Sequence, residues 1–120
     1  MTKTTVEVLR DAKTLLETKG WTQGTCARNA REEPVDLVDP DASCFCAIGA
    51  LWFVDGMDSP AAHAAEMALL RVTFHQKVLE QVRVGPHFND PEGRTLPEVL
   101  AKFDEAIAAE EAKLGLEVPA

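Results

Sequence analysis

The stretch from Ala42 to Val54 constrains this chain more than any other, because it is apolar on nearly every side. At helical spacing, Phe45, Ile48, Leu51 and Trp52 fall on one side and Cys46, Gly49, Ala50 and Phe53 on another. A helix with no polar face must be covered all round by other elements, so the pattern predicts a central helix over 42–54. Gly49 inside it lowers helix stability by about 1 kcal/mol relative to Ala. The expected compensation is the close approach of a neighbouring backbone.

Three further helices are expected around it. Val8, Leu9, Ala12, Leu15 and Leu16 share one helical face over 5–19, and Gly20 is placed to end that helix. Ser59-Pro60 is an N-cap followed by proline at the first helical position. From there Ala61, Ala65, Ala68, Leu69, Val72, Leu79 and Val82 keep the helical period for over twenty residues, with a break signalled at Thr73-Phe74 and a stop at Gly85-Pro86. Thr95-Leu96-Pro97-Glu98 has capping-box spacing, and Val99, Leu100, Phe103, Ala106 and Ile107 form the apolar stripe that follows. Ala108 to Lys113 is polar and is expected to fray, and 114–120 lie outside the helix. Segment 21–41 is irregular. It holds a turn at Trp21-Thr22-Gln23-Gly24, a short helix over 25–31, an extended Pro34–Val38, and turn chemistry at Asp39-Pro40-Asp41 leading into an N-cap. The chain of 120 residues, 46% hydrophobic, is expected to be a single all-α domain over 1–120 with four main helices and no internal repeat.

Twenty Asp and Glu against twelve Lys and Arg leave a net charge of −8. Nucleic-acid binding needs a basic surface, so no nucleic-acid partner is expected. No apolar run approaches the ~20 residues of a membrane span, so no membrane role is expected either. An acidic surface suits solubility or a basic partner. The cysteines are Cys26, Cys44 and Cys46, an odd set without a disulfide framework, which points to a reducing cytoplasm.

Three signatures stand in order: Gly20-Trp21-Thr22-Gln23-Gly24 with Ala27-Arg28; Phe45-Cys46-Ala47-Ile48-Gly49-Ala50-Leu51; and Phe88-Asn89-Asp90 with the final helix around Phe103 and Ala106-Ile107. Together they resemble a family of small bacterial and phage proteins known only as a domain of unknown function. The resemblance runs from Leu9 to Ile107. It departs at Phe88, where the family has Trp, and at the cysteine-rich Cys44-Phe45-Cys46. It implies a fold and no activity, and it suggests an accessory role in phage or mobile-element genomes.

Cys46 stands near an expected helix start, where the helix dipole favours thiolate. With His87 and Asp90 or Asn89 it suggests a cysteine hydrolase or amidase. The opposing reading, a small buried core thiol, is favoured, because the papain-like arrangement needs strands that this sequence scarcely offers. Zinc from Cys26, Cys44 and Cys46 with His63, His75 or His87 lacks the usual ligand spacing, so no metal and no cofactor are expected. The Trp21–Gly24 turn and the Phe88–Asp90 loop are expected to touch. Asp90 would accept from the Trp21 indole and pair with Arg28. Trp21, Gln23, Arg28, Asn89 and Asp90 then form either a scaffold or a small-ligand site. Phosphate-loop, zincin and serine-hydrolase motifs are absent from the sequence. The leading expectation is a non-enzymatic protein-interaction or regulatory domain with an unidentified protein partner. A homodimer burying Phe74 or Val78 and a monomer fit the sequence equally.

Overall fold

Four helices and one short ladder make up residues 3–74 and 88–115, which the computed structural model describes. Helix α1 spans Thr5–Lys19, β1 Ala27–Arg28, β2 Cys44–Phe45, α2 Ala47–Asp55, α3 Pro60–Thr73 and α4 Leu96–Gly115. The protein is predominantly α-helical, as its apolar periodicity predicts.

Each long helix begins on a side chain that satisfies its free amides. Thr4 closes a capping box with Glu7 at α1, Ser59 accepts from the Ala62 amide at α3, and Thr95 and Glu98 exchange bonds at α4. All three caps are local in sequence, and those at Ser59 and Thr95 are the ones the sequence predicts. Helix α1 buries Val6, Val8, Leu9, Ala12 and Leu16 and packs against α2, α3 and α4. Its stripe meets Leu51 of α2, Leu69 and Leu70 of α3, and Val99 and Phe103 of α4 in one core cluster.

The structure corrects several of the sequence expectations. The helix expected over 42–54 begins only at Ala47. Cys44 and Phe45 are extended because their backbone is claimed from both sides. Phe45 N–H donates to Gly20 O at 3.1 Å, Phe45 O accepts from Thr22 N–H at 3.0 Å, and the antiparallel ladder pairs Ala27 with Phe45 and Arg28 with Cys44. The same ladder replaces the short helix expected over 25–31. Asp39 Oδ1 caps its own turn, accepting from Asp41 N–H at 2.7 Å, and starts no helix.

The central position also belongs to α1 rather than α2. The last turn of α2 emerges at the surface, where Phe53 is 50% exposed although its ring packs on Phe45 at a 5.0 Å centroid distance. Helix α3 ends at Thr73, at the break that the sequence signals at Thr73-Phe74. Thr73 Oγ1 bonds back to Leu69 O at 2.8 Å, and Phe74 is extended with its amide on Leu70 O. Residues 75–87, with Leu79, Val82 and the Gly85-Pro86 stop, lie outside the described residues. Helix α4 continues through 108–113 instead of fraying. Glu110 and Lys113 pair at 2.8 Å, and Arg10 of α1 bonds Glu111.

Candidate functional site

Glycine brackets the first signature on both sides. Gly20 at φ 122° and Gly24 at φ 84° adopt conformations that L side chains avoid, so the chain reverses tightly after α1. That reversal sets Trp21, Thr22 and Gln23 against the loop that precedes α4. Asn89 is the centre of the contact and is fully buried. Its Oδ1 accepts from Trp21 Nε1 at 2.6 Å and from the Ala47 amide at 2.9 Å. Its Nδ2 donates to Thr22 O at 3.0 Å and to Asp90 Oδ1 at 2.9 Å. Gln23 Nε2 bridges Asn89 O and Pro91 O, and Asp90 Oδ1 accepts the Gly24 amide at 3.0 Å.

The five residues singled out as a scaffold or ligand site therefore divide. Trp21, Gln23, Asn89 and Asp90 converge, and Asn89 rather than Asp90 accepts from the indole. Arg28 joins the turn without touching Asp90. Its guanidinium donates to Thr22 Oγ1 at 2.8 Å, Gln23 O at 3.1 Å and Glu32 O at 3.0 Å. Those three acceptors, two backbone carbonyls and one hydroxyl, hold the fork within its own segment, which displaces the expected bidentate carboxylate pair. Among the described residues no buried side-chain nitrogen or oxygen lacks a partner.

Asn89 also does what the local sequence before α2 does not. The Ala47 amide is the first of α2, and a residue 42 positions later in the chain satisfies it. The Gly49 amide is satisfied by Cys46 Sγ at 3.2 Å, so a thiol serves as N-cap. Gly49 itself is explained: a Cβ there would stand 2.3 Å from Cys26 O. This is the close backbone approach expected from the sequence, and the neighbour is the segment entering β1.

Cys46 is 3% exposed and belongs to the same core cluster as Leu16 and Phe103. The neighbouring Cys26 thiol, together with burial, pushes the Cys46 thiol pKa far above its ordinary range. The Cys46 thiol in turn favours the Cys26 thiolate and lowers Cys26 from 9.0 to about 7, against burial and the nearby charge of Asp90. The thiol with a lowered pKa is thus Cys26, which the sequence argument had assigned only to a metal set. Nothing local distinguishes it, because its partner lies across the ladder. His87 and His75 lie outside the described residues, so the constellation of Cys46, His87 and Asp90 is described only in part. His63 sits on α3, exposed, with Nδ1 3.9 Å from Glu66 Oε1. Among the described residues no group of three or more His, Cys, Asp or Glu is arranged to hold a metal ion.

A second feature was not legible in the sequence. A groove of about 530 Å³ opens where α1 and α3 start and α4 ends, lined by Lys3, Thr5, Val6, Pro60, Ala61 and Lys113. Its two lysines are engaged, Lys3 with Asp11 and Lys113 with Glu110. Phe74 is half-buried against the core, and Val78 lies outside the described residues. Among the described residues, no helix is long and apolar enough to cross a membrane.

No curated protein and no solved structure matches the chain. The model of a family of unknown function (DUF6197) matches residues 1–109, and the chain, carrying the turn, the cysteine-capped helix and the Asn-Asp loop described above, belongs to that family.

Proposed function

We propose that the chain is a non-enzymatic cytoplasmic interaction or regulatory domain, of the accessory kind carried by phage or mobile elements, and that it docks a protein partner through the end of α2. The observation that carries this reading is the exposure of Phe53 at 50% and Met57 at 63%, at the end of a helix whose sequence calls for cover on every side. Asp55 and the exposed Asp58 flank these side chains, on a body of net charge −8. An apolar socket with a basic rim is the surface that complements them.

Two features of the loops support the same reading. The polar groups of Trp21, Gln23 and Asn89 bond one another and the backbone, as a scaffold requires. The thiol at the helix start is buried in the core, which does not suit the substrate-facing nucleophile of a hydrolase.

A photo-crosslinking residue placed at position 53 in cells tests the proposal. A defined basic partner should be captured, and Met57→Glu should abolish its capture while leaving the unfolding midpoint unchanged. Capture of only a second copy of this chain would assign a homodimer instead. No crosslink, or one indifferent to Met57→Glu, would overturn the reading.

A further inference from the structure

We propose that Cys26 and Cys46 form a reversible dithiol–disulfide site, oxidised by small-molecule disulfides that reach Cys26 first. The proposal is independent of any partner at α2. It begins with the ladder register. Ala27 pairs with Phe45, so Cys26 lies opposite Cys46, and Cys46 N–H donates to Cys26 O at 3.0 Å. Residues opposed in this way have Cα atoms roughly 5.5 Å apart, and their side chains leave the ladder on the same face. A disulfide needs a Cα separation of roughly 4.4–6.8 Å. Cys44 is diagonal to Cys26, a relationship that places Cα atoms about 7–8 Å apart. Its sulfur is turned to Arg28 O at 3.9 Å.

The two sulfurs are unequal, as an attacking and a resolving thiol must be. Cys26 is half-buried and reachable, whereas Cys46 is 3% exposed. The neighbouring Cys46 thiol lowers the Cys26 pKa to about 7, so much of it is thiolate at neutrality. The Cys26 thiolate attacks one sulfur of a disulfide R–S–S–R. The S–S bond breaks, one RS⁻ leaves and takes up a proton, and Cys26 becomes a mixed disulfide. Cys46 has now lost the neighbouring negative charge that raised it, and the Gly49 and Ile48 amides at the start of α2 favour its thiolate. Cys46 gives up its proton to solvent and attacks the Cys26 sulfur, and the second RS⁻ leaves. Two thiols are oxidised, the reagent disulfide is reduced to two RSH, and β1 is stapled to the N-cap of α2. An excess of dithiol reverses both steps.

The test exposes the native full chain to glutathione disulfide without denaturant and then maps the peptides. Free thiols should fall from three to one, with Cys26 linked to Cys46 and full recovery after dithiothreitol. Cys44→Ser should leave the linkage intact, and Cys26→Ser should abolish all oxidation. Cys46→Ser, which keeps an N-cap oxygen, should stop at the mixed disulfide on Cys26. A linkage through Cys44, a mixed disulfide that never resolves in the wild type, or no oxidation before unfolding would overturn the proposal.

Discussion

The indole Nε1 of Trp21 donates to Asn89 Oδ1 at 2.6 Å, joining two residues 68 positions apart. The same oxygen accepts the first amide of α2. One side chain therefore ties the turn after α1, the start of α2 and the loop before α4. The three sequence signatures meet at this atom, and each supplies something the others lack. The turn supplies an indole donor, the helix an unpaired amide, and the loop an acceptor that is neutral and so can be buried without a counter-charge.

Asn89→Ala removes that acceptor and leaves two donors facing the interior. A buried donor without a partner costs about 1–3 kcal/mol, so the variant should lose about 3 kcal/mol or more. Urea unfolding measures this. A loss under about 1 kcal/mol would show that water replaces the amide.

Asp90→Asn separates scaffold from binding site. Asp90 Oδ1 accepts from Gly24 N–H and Asn89 Nδ2, and charge strengthens both bonds. If the loop is scaffold, the variant loses about 1–2 kcal/mol in denaturant unfolding. Unchanged or improved stability would instead mark a carboxylate kept for a ligand.

Gly49→Ala sets two effects against each other. Alanine improves helix propensity by about 1 kcal/mol. The added Cβ would meet Cys26 O at 2.3 Å, and that atom is backbone already bonded to Cys46 N–H. Overpacking of this kind costs about 1–3 kcal/mol or more, so the clash wins and thermal unfolding should shift downward. An upward shift would mean that β1 can withdraw freely from α2.

Alkylation across pH should single out Cys26. Its rate should rise through a midpoint near pH 7, below the ordinary 9.0, because the neighbouring Cys46 thiol favours the thiolate. Cys46→Ala removes that thiol and should move the Cys26 midpoint back up. Cys46 itself should label only as the protein unfolds. Fast native labelling of Cys46 with a low midpoint would reinstate it as a nucleophile.

The helices that depend on near neighbours are written in local residue order. Ser59 with Pro60 and Thr95 with Glu98 are caps closed within one turn, and the stripes of α1 and α4 follow a period that the chain carries wherever it folds. Residue types alone also show that the Gly-Trp turn and the Asn-Asp loop carry complementary donors and acceptors. That Asn89, not Asp90, takes the indole, that Cys44 and Phe45 are strand rather than helix, and that Cys26 stands opposite Cys46 follow from packing alone. In each case the deciding bond spans many residues: Phe45 is helical by pattern, but its amide and carbonyl are taken by Gly20 and Thr22. A local pattern specifies which conformations are inexpensive. Which backbone groups are already engaged by distant chain is settled only when the elements pack, and there the pairing of buried polar groups outweighs propensities of a fraction of a kcal/mol per residue, roughly.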